Sequence, residues 1–355
     1  MIPSSQQVRL GIVGVGAIGR RHLSLARAEP ACRVIALADP SPETVGIASA
    51  AGLRHYACYA EMADKERLDG AIVAAPTQEH APIGMQLVGR RIPMLVEKPF
   101  ADTVEAGLGL AASAESGGVA VCVGHHRRFD PAVTAAKRIL RSGEIGELVG
   151  VSATWAVRKP DSYFKVRWRC RRGGGPVLIN MIHDIDLLRF LCGEIESVYA
   201  ETTSRHRGLE VEDSGAIMLR FSGGVLCTVS FSDSSPSPWG WERATADNPA
   251  IPPAGQNCYH FFGSAGSFEF PRIRLWAYES GDEPGWGRRI LAKDHPLPPR
   301  AALKEQLRNF CDVVRGIAQP LVTARDALGT LAAAQAVDSS ARKGRPVRPA
   351  SIPSV

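Results

Sequence analysis

Residues 8–22 read VRLGIVGVGAIGRRH, and the fold turns on this stretch. An apolar run, residues 8–13, meets a GxGxxG made by Gly14, Gly16 and Gly19, and residues 20–28 continue in a helical pattern. The three glycines do different physical jobs. The first permits a tight turn, the second lets backbone approach a pyrophosphate, and the third lets helix and strand pack closely. The helix start that follows, with Ala17 and Ile18 beside the glycines, offers backbone N–H groups to an anion. A second apolar run, residues 34–38, ends at Asp39, 20 residues beyond Gly19. That is the place of a carboxylate that accepts from the adenosine ribose hydroxyls of a dinucleotide. A carboxylate there repels a 2′-phosphate, so NAD is expected, with NADP the lesser alternative kept open by Arg20, Arg21 and Arg33.

Outward from this motif the grammar is βαβα. Strand-like runs recur at 71–75, 94–96 and 119–123, with helix-compatible stretches at 43–51, 79–90 and 102–116, which predicts a parallel sheet covered by helices on both faces. After Gly124 the pattern changes. A helix at 132–141 is followed by strands at 147–158, 196–204, 214–221 and 225–232, interrupted by a helix at 180–191, so the second half reads as an α+β domain with a mainly antiparallel sheet. Further helices are expected at 301–316 and 324–341. Residues 234–256 read as a long ordered loop and residues 344–355 (GRPVRPASIPSV) as a loose tail.

At 355 residues, 45% of them hydrophobic, the chain is long enough for two domains. No run of 18 or more apolar residues and no secretory leader pattern is visible, so a soluble cytoplasmic protein is expected. The eight cysteines are scattered without a CxxC pair, which fits reduced thiols better than disulfides or a metal site. The net charge of +6 is diffuse; its densest cluster, residues 165–172 (KVRWRCRR), abuts a glycine run and is not a nucleic-acid-reading helix.

Three strand ends or helices carry candidate chemistry. Glu97-Lys98-Pro99 follows the strand at 94–96, and Pro76, Thr77 and His80 follow the strand at 71–75, both at carboxyl ends where open α/β sheets bind ligands. A lysine or a turn histidine in such a place is by itself most often structural. His183 lies on the helix behind Gly173-Gly174-Gly175, with Asn180 and Asp186 about 60° to either side on a helical wheel.

Taken together, GVGAIGRRH, ALADPSPE, AAPTQEHA, VEKPFA, VGHHRRFDPAV, GEIGEL, GGGPVLINMIHDIDLLRFLCG and AVDSSARKGRPV resemble the Gfo/Idh/MocA family, the glucose-fructose oxidoreductase and inositol dehydrogenase group. The resemblance implies a Rossmann domain over residues 1–124, a substrate and oligomerisation domain over 125–300, helices at 301–345 packing back toward the first domain, and a tail at 346–355. It implies NAD held by Gly14, Gly16, Ala17, Ile18, Gly19, Asp39, Pro76, Thr77, His80, Glu97 and Lys98, and a homodimer or homotetramer formed through the open sheet face. It further implies Lys98 as the group that polarises the reacting hydroxyl or carbonyl and His183 as general acid/base. Arg128, Tyr163, Trp168, Arg169 and Asn180 fall in stretches that resemble substrate-lining segments. One departure stands out: the aspartate that inositol and sugar dehydrogenases carry four residues before the histidine is Ile179 here, with Asn180 next to it. The implied activity is NAD-dependent oxidation of a secondary alcohol of a cyclic polyol or sugar. The alternatives are an acidic sugar, cyclic hydroxy acid, keto sugar or dihydrodiol as substrate, the acid being suggested by Arg167, Arg169, Arg171 and Arg172. A noncatalytic NAD(P)-sensing regulator and NAD-dependent glycoside hydrolysis complete the set.

Overall fold

The computed structural model describes residues 6–279 and 285–353, and the chain divides into two compact units. The first is built from the chain up to His126 together with Ala302–Leu331. Its strands are β1 (Val8–Val13), β2 (Cys32–Ala38), β3 (Arg54–Tyr56), β4 (Gly70–Val73), β5 (Met94–Val96) and β6 (Val121–Val123), which form one parallel sheet in the order β3-β2-β1-β4-β5-β6. The strands alternate with α1 (Ala17–Ala28), α2 (Glu43–Ala51), α3 (Tyr59–Lys65), α4 (Thr77–Gly89) and α5 (Val104–Gly117). Both faces of the sheet are covered: every residue of β4, β5 and β6 is buried, which is why these strands read as unbroken apolar runs without alternation. The strand order reverses between β1 and β4, and it is at such a switch point that parallel sheets bind ligands.

The second unit comprises Arg127–Ala301 and Ala332–Ser351. After α6 (Pro131–Ser142) come β7 (Leu148–Ala156), α7 (Ile182–Cys192), β8 (Ile195–Thr203), β9 (Ser214–Phe221), β10 (Leu226–Ser232), α8 (Trp241–Thr245), β11 (Tyr259–Gly263), β12 (Gly266–Phe270), β13 (Arg274–Tyr278) and β14 (Ile290–Asp294). They make an eight-stranded sheet, β14-β13-β12-β11-β7-β10-β9-β8, antiparallel except where β7 and β10 run parallel. One face carries Val151, Ala153, Trp155, Ile217, Leu219, Phe221, Val229, Phe231, Phe261 and Phe268 into a core shared with Val133, Ile139, Ile185, Leu188 and Val337. The alternate residues of the same strands face away from that core, as the two-residue period of a strand requires. Two helices complete the chain: α9 (Ala302–Arg315) belongs to the first unit, where Leu307, Phe310 and Val313 join the core under β1, and α10 (Ala324–Lys343) passes from the first unit to the second after Leu331. Among the described residues no helix is long and apolar enough to cross a membrane.

The fold class is the expected one, and several local expectations are corrected. The stretch 234–256 is not loop throughout: α8 forms inside it because Trp241, fully buried, pulls its turn into the core. The tail expected from residue 344 onward is docked over its described part. Val347 exchanges two backbone hydrogen bonds of 2.8 Å with Val198 on β8, and the Ser340 hydroxyl donates to the Arg345 carbonyl; residues 354 and 355 lie outside the described chain. The helix expected from 180 begins at Ile182. Val177–Met181 is a π-helical turn, so Asn180 sits in a widened turn and the regular helical wheel does not apply to it. Finally, Asp161–Lys165 and Arg167–Cys170 are 3₁₀ helices, so the alternation of an extended strand does not govern the arginines at 167–172.

Candidate functional site

In the first unit the ends of β1, β2, β4 and β5 bring the expected cofactor residues to one edge of the sheet. Gly14 has φ +85°, and a Cβ there would come within 2.5 Å of the Ala74 carbonyl oxygen; a Cβ on Gly19 would meet the Gly14 carbonyl oxygen at 2.0 Å. Only glycine fits either place. At Gly16 a Cβ would meet nothing within 4 Å, so the loop is open on that side, and α1 begins at Ala17 with no side chain capping its first N–H groups. Open space against uncapped N–H groups is what a pyrophosphate needs. Asp39 is tied to this loop: one carboxylate oxygen accepts from the Val15 N–H at 2.7 Å and the other from the Ser41 N–H at 2.8 Å. Each oxygen keeps a further lone pair for a ribose hydroxyl. Arg20 reaches back to the Val15 carbonyl at 3.0 Å and lies 3.6 Å from Glu43.

Glu97, at the end of β5, is 5% exposed and lies 2.7 Å from the imidazole of His22, which is fully buried on α1. Its other oxygen accepts from the Lys98 N–H at 3.2 Å. Burial by itself would raise this carboxyl; the His22 hydrogen bond and charge, with Lys98 and His126, outweigh it and hold the pKa at about 2. The carboxylate therefore ties α1 to the turn that carries Lys98. His80 on α4 ties the same turn from the other side, one ring nitrogen 2.8 Å from the Pro99 carbonyl and the other 2.8 Å from that of Ala75. Burial pulls its pKa below the ordinary value against the pull of those carbonyls and Glu97. Both Glu97 and His80 thus brace the turn that carries Lys98. Pro76 and Thr77 open α4 at the end of β4.

In the second unit His183 stands on α7, 7% exposed. Two of the three glycines before it are closely packed: a Cβ on Gly174 would lie 2.3 Å from the Trp168 carbonyl oxygen, and one on Gly175 would lie 2.4 Å from the Glu212 carboxylate, which accepts from the Val177 N–H at 3.0 Å. The residues flanking His183 are anchored by buried charge. Asp184 accepts from the Tyr259 hydroxyl and lies 3.1 Å from Arg127, whose guanidinium also donates to Glu242 at 2.9 Å and sits over the Trp241 ring. Trp155 donates to the other Glu242 oxygen at 3.2 Å. Burial, with Glu242 adding to it, pushes the Asp184 carboxyl above the usual carboxylate range against Arg127 and Tyr259. Asp186 forms a two-pronged pair with Arg128 at 2.6 and 2.8 Å, and Arg128 also lies over the Phe190 ring. Arg128, 4% exposed, is thereby tied to α7.

Tyr163, Trp168 and Arg169 lie on the two 3₁₀ turns. Arg169 donates to the Tyr163 carbonyl at 3.1 Å and lies 4.1 Å over the Tyr163 ring and 5.6 Å over that of Trp168, which is half exposed. Arg172 pairs on the surface with Asp338. Asn180 has a buried side-chain oxygen with no hydrogen-bond partner among the described residues. Sequence reasoning missed Lys159, Arg158 and Arg207. Lys159 is buried 3.5 Å from Asp233 and 4.8 Å over the Tyr163 ring, and burial lowers its pKa against the pull of Asp233. No local signal marks it, because its partner Asp233 comes from another strand end.

Comparison with known proteins agrees with both units. Residues 8–125 match the oxidoreductase family with an NAD-binding Rossmann fold, and residues 133–269 match the GFO/IDH/MocA C-terminal domain. The rhizopine catabolism protein MocA of Rhizobium meliloti is 28% identical over 92% of this chain and 93% of its own length. An inositol 2-dehydrogenase of Rubrobacter xylanophilus is likewise 28% identical, over 96% and 93%. In fold, the WlbA dehydrogenase of Bordetella pertussis, solved with NADH and UDP-GlcNAcA, superposes with a TM-score of 0.79 at 24% identity over 98% of this chain and all of that one. The chain therefore belongs to the Gfo/Idh/MocA family and is an NAD-dependent oxidoreductase.

Proposed function

We propose that the protein oxidises a secondary alcohol of a sugar or cyclic polyol, with His183 as general base and Lys98 as the cation beside the developing alkoxide. The observation that carries this reading is the mounting of His183: it stands on a helix whose adjacent carboxylates are fixed by Arg127, Tyr259 and Arg128, so the imidazole is borne on a rigid element. An imidazole is the side chain best matched to proton removal near neutrality. Lys98, as an ammonium, stabilises negative charge on the substrate oxygen as the proton leaves. Bound NAD supplies the hydride acceptor. Gly14, Gly16, Ala17, Ile18 and Gly19 hold its pyrophosphate against the start of α1, Asp39 takes the adenosine ribose, and Pro76 and Thr77 line the neighbouring strand end. Asn180, Tyr163, Trp168 and Arg169 are assigned to substrate contact, Asn180 because its buried oxygen has an unused acceptor. The inositol dehydrogenase relative supports the polyol class.

Initial rates with a panel of polyols, sugars and sugar acids, each with NAD and NADP, test the reading; absence of NADH formation with every member overturns it. In the same assay Asp39→Ala should lower kcat/KM for NAD about tenfold to a hundredfold, the worth of charge-assisted hydrogen bonds, and lower that for NADP less. An unchanged NAD-to-NADP ratio removes Asp39 from ribose recognition.

The outer face of the eight-stranded sheet exposes Phe262, Met218 and Leu226 by 45%, 44% and 40%. Phe262 and Leu226 both lie in register with Gly150, so they share one row across β11, β7 and β10. We assign this face to a homo-oligomer contact. Light scattering should show the native protein as a dimer or tetramer and the pair Leu226→Glu, Phe262→Glu as a monomer with native circular dichroism. An unchanged mass would exclude this face.

A further inference from the structure

A cavity of about 300 Å³ opens in the second unit, lined by Arg158, Asp161, Phe164, His206, Arg207 and Leu209. Arg158 and Asp161 come from the segment after β7, and His206, Arg207 and Leu209 from the connection between β8 and β9. That connection also carries Glu212, which holds the Val177 N–H in the segment leading to His183. The cavity therefore belongs to the end of the sheet where the His183 helix enters.

Arg207 is a rigid wall. Its guanidinium donates to the Asp233 carboxylate at 2.8 Å, to the Lys159 carbonyl at 3.0 Å and to the Asp233 carbonyl, and it lies 4.2 Å over the Phe164 ring. The remaining nitrogen lies 3.5 Å from Asp161. Arg158 is anchored through one nitrogen to the Ser234 carbonyl at 2.9 Å, and its other nitrogen lies 3.9 Å from the same Asp161 oxygen. One carboxylate oxygen thus stands between two guanidinium groups without a close hydrogen bond to either. Its side chain is 86% exposed, so these are loose, solvent-screened pairs. The buried acid nearby, Asp233, is already shared by Arg207 and Lys159. An anion with two or three acceptor oxygens would make shorter, paired contacts with the same guanidinium forks. Phe164 and Leu209 supply an apolar wall suited to a ring face.

We propose that this cavity is a subsite for a carboxylate or phosphate carried by the substrate, with Arg158 and Arg207 as its cationic walls and Asp161 as the carboxylate that the ligand displaces. The inference rests on the dehydrogenase reading and narrows its substrate to an anionic sugar or cyclic polyol. It relocates the acid-binding function from the arginines at 167–172 to a pair that the chain brings together from separate connections.

Calorimetric titration of the NADH-saturated protein, which cannot oxidise an alcohol, with D-glucuronate, D-glucose 6-phosphate and D-glucose at constant ionic strength, in wild type, Arg158→Gln and Asp161→Asn, tests the subsite. Tryptophan fluorescence, which reads the second unit, checks that each variant is folded. At least one of the two anions should bind ten times more tightly than D-glucose, and which one wins separates carboxylate from phosphate. Arg158→Gln should remove most of that advantage, and Asp161→Asn should strengthen anion binding severalfold. Equal affinity for anions and D-glucose, or anion affinity indifferent to both substitutions, overturns the subsite; NADH formation from neutral sugars alongside that result would leave the dehydrogenase reading standing. Anion binding that depends on Arg158 with no NADH formed from any sugar, acid or phosphate would uphold the subsite and count against that reading instead.

Discussion

His183→Ala is expected to lower kcat by about 100-fold to 10,000-fold, the usual worth of a positioned general acid/base, while the Kd for NAD stays near the wild-type value. The separation follows from the assignments: His183 belongs to the second unit and acts on substrate, whereas the residues assigned to NAD lie on the strand ends of the first. The pH profile gives a second reading of the same experiment. A base must be deprotonated to accept the hydroxyl proton, so the acid limb of the wild-type kcat profile should disappear in the variant. Lys98→Ala should produce a comparable loss in kcat without the change in the acid limb. A His183→Ala protein with near wild-type turnover would remove histidine from the mechanism.

Arg127→Met is expected to cost about 3–5 kcal/mol, because removing one partner of a buried ion pair leaves uncompensated charge in the core. Arg127 is 2% exposed and stands between Asp184 and Glu242, so its loss strands two carboxylates. Trp155, Trp168, Trp239, Trp241, Trp276 and Trp286 account for every tryptophan and all lie in the second unit, so urea unfolding followed by intrinsic fluorescence reads that unit alone. Asp184 sets the sign of the pH dependence. It holds its proton above the ordinary carboxylate range, so in that window the folded state binds more protons than the unfolded one and stability falls as pH rises. Without the arginine this pKa rises further. The deficit of Arg127→Met should therefore be smaller near about pH 5 than near about pH 8. Adding Glu242→Gln to Arg127→Met should cost less than the sum of the two single changes, since they share one network. A deficit below about 1 kcal/mol, or one flat with pH, would show the cluster to be solvated in solution.

The Rossmann half was legible because its signals are local. Gly14, Gly16, Gly19 and Asp39 sit at fixed short spacings, and buried parallel strands announce themselves as apolar runs. Short or exposed elements carried no such signal. β3 is three residues long, α3 has seven, and every residue of β14 is exposed, so neither a run nor an alternation could mark them. The strands β11 to β13 were missed because each is five residues long and bounded by glycine or proline turns that look like loop.

By itself, then, the sequence determined the nucleotide-binding architecture, the two-part organisation of strands and helices, and the family, since these rest on backbone conformations and periodicities set within a few residues. Only the tertiary structure decided what each charged residue does. Arg127 meets Glu242 across 115 residues, Tyr259 meets Asp184 across 75, and Arg128 meets Asp186 across 58. No spacing rule encodes such partners. Their pairing is enforced by the cost of burying a charge alone, a cost that exists only once the sheet and helices have closed around it. For the same reason the arginines adjacent in sequence at 167–172 are spread over local and surface contacts, while Arg158 and Arg207, 49 residues apart, face one carboxylate.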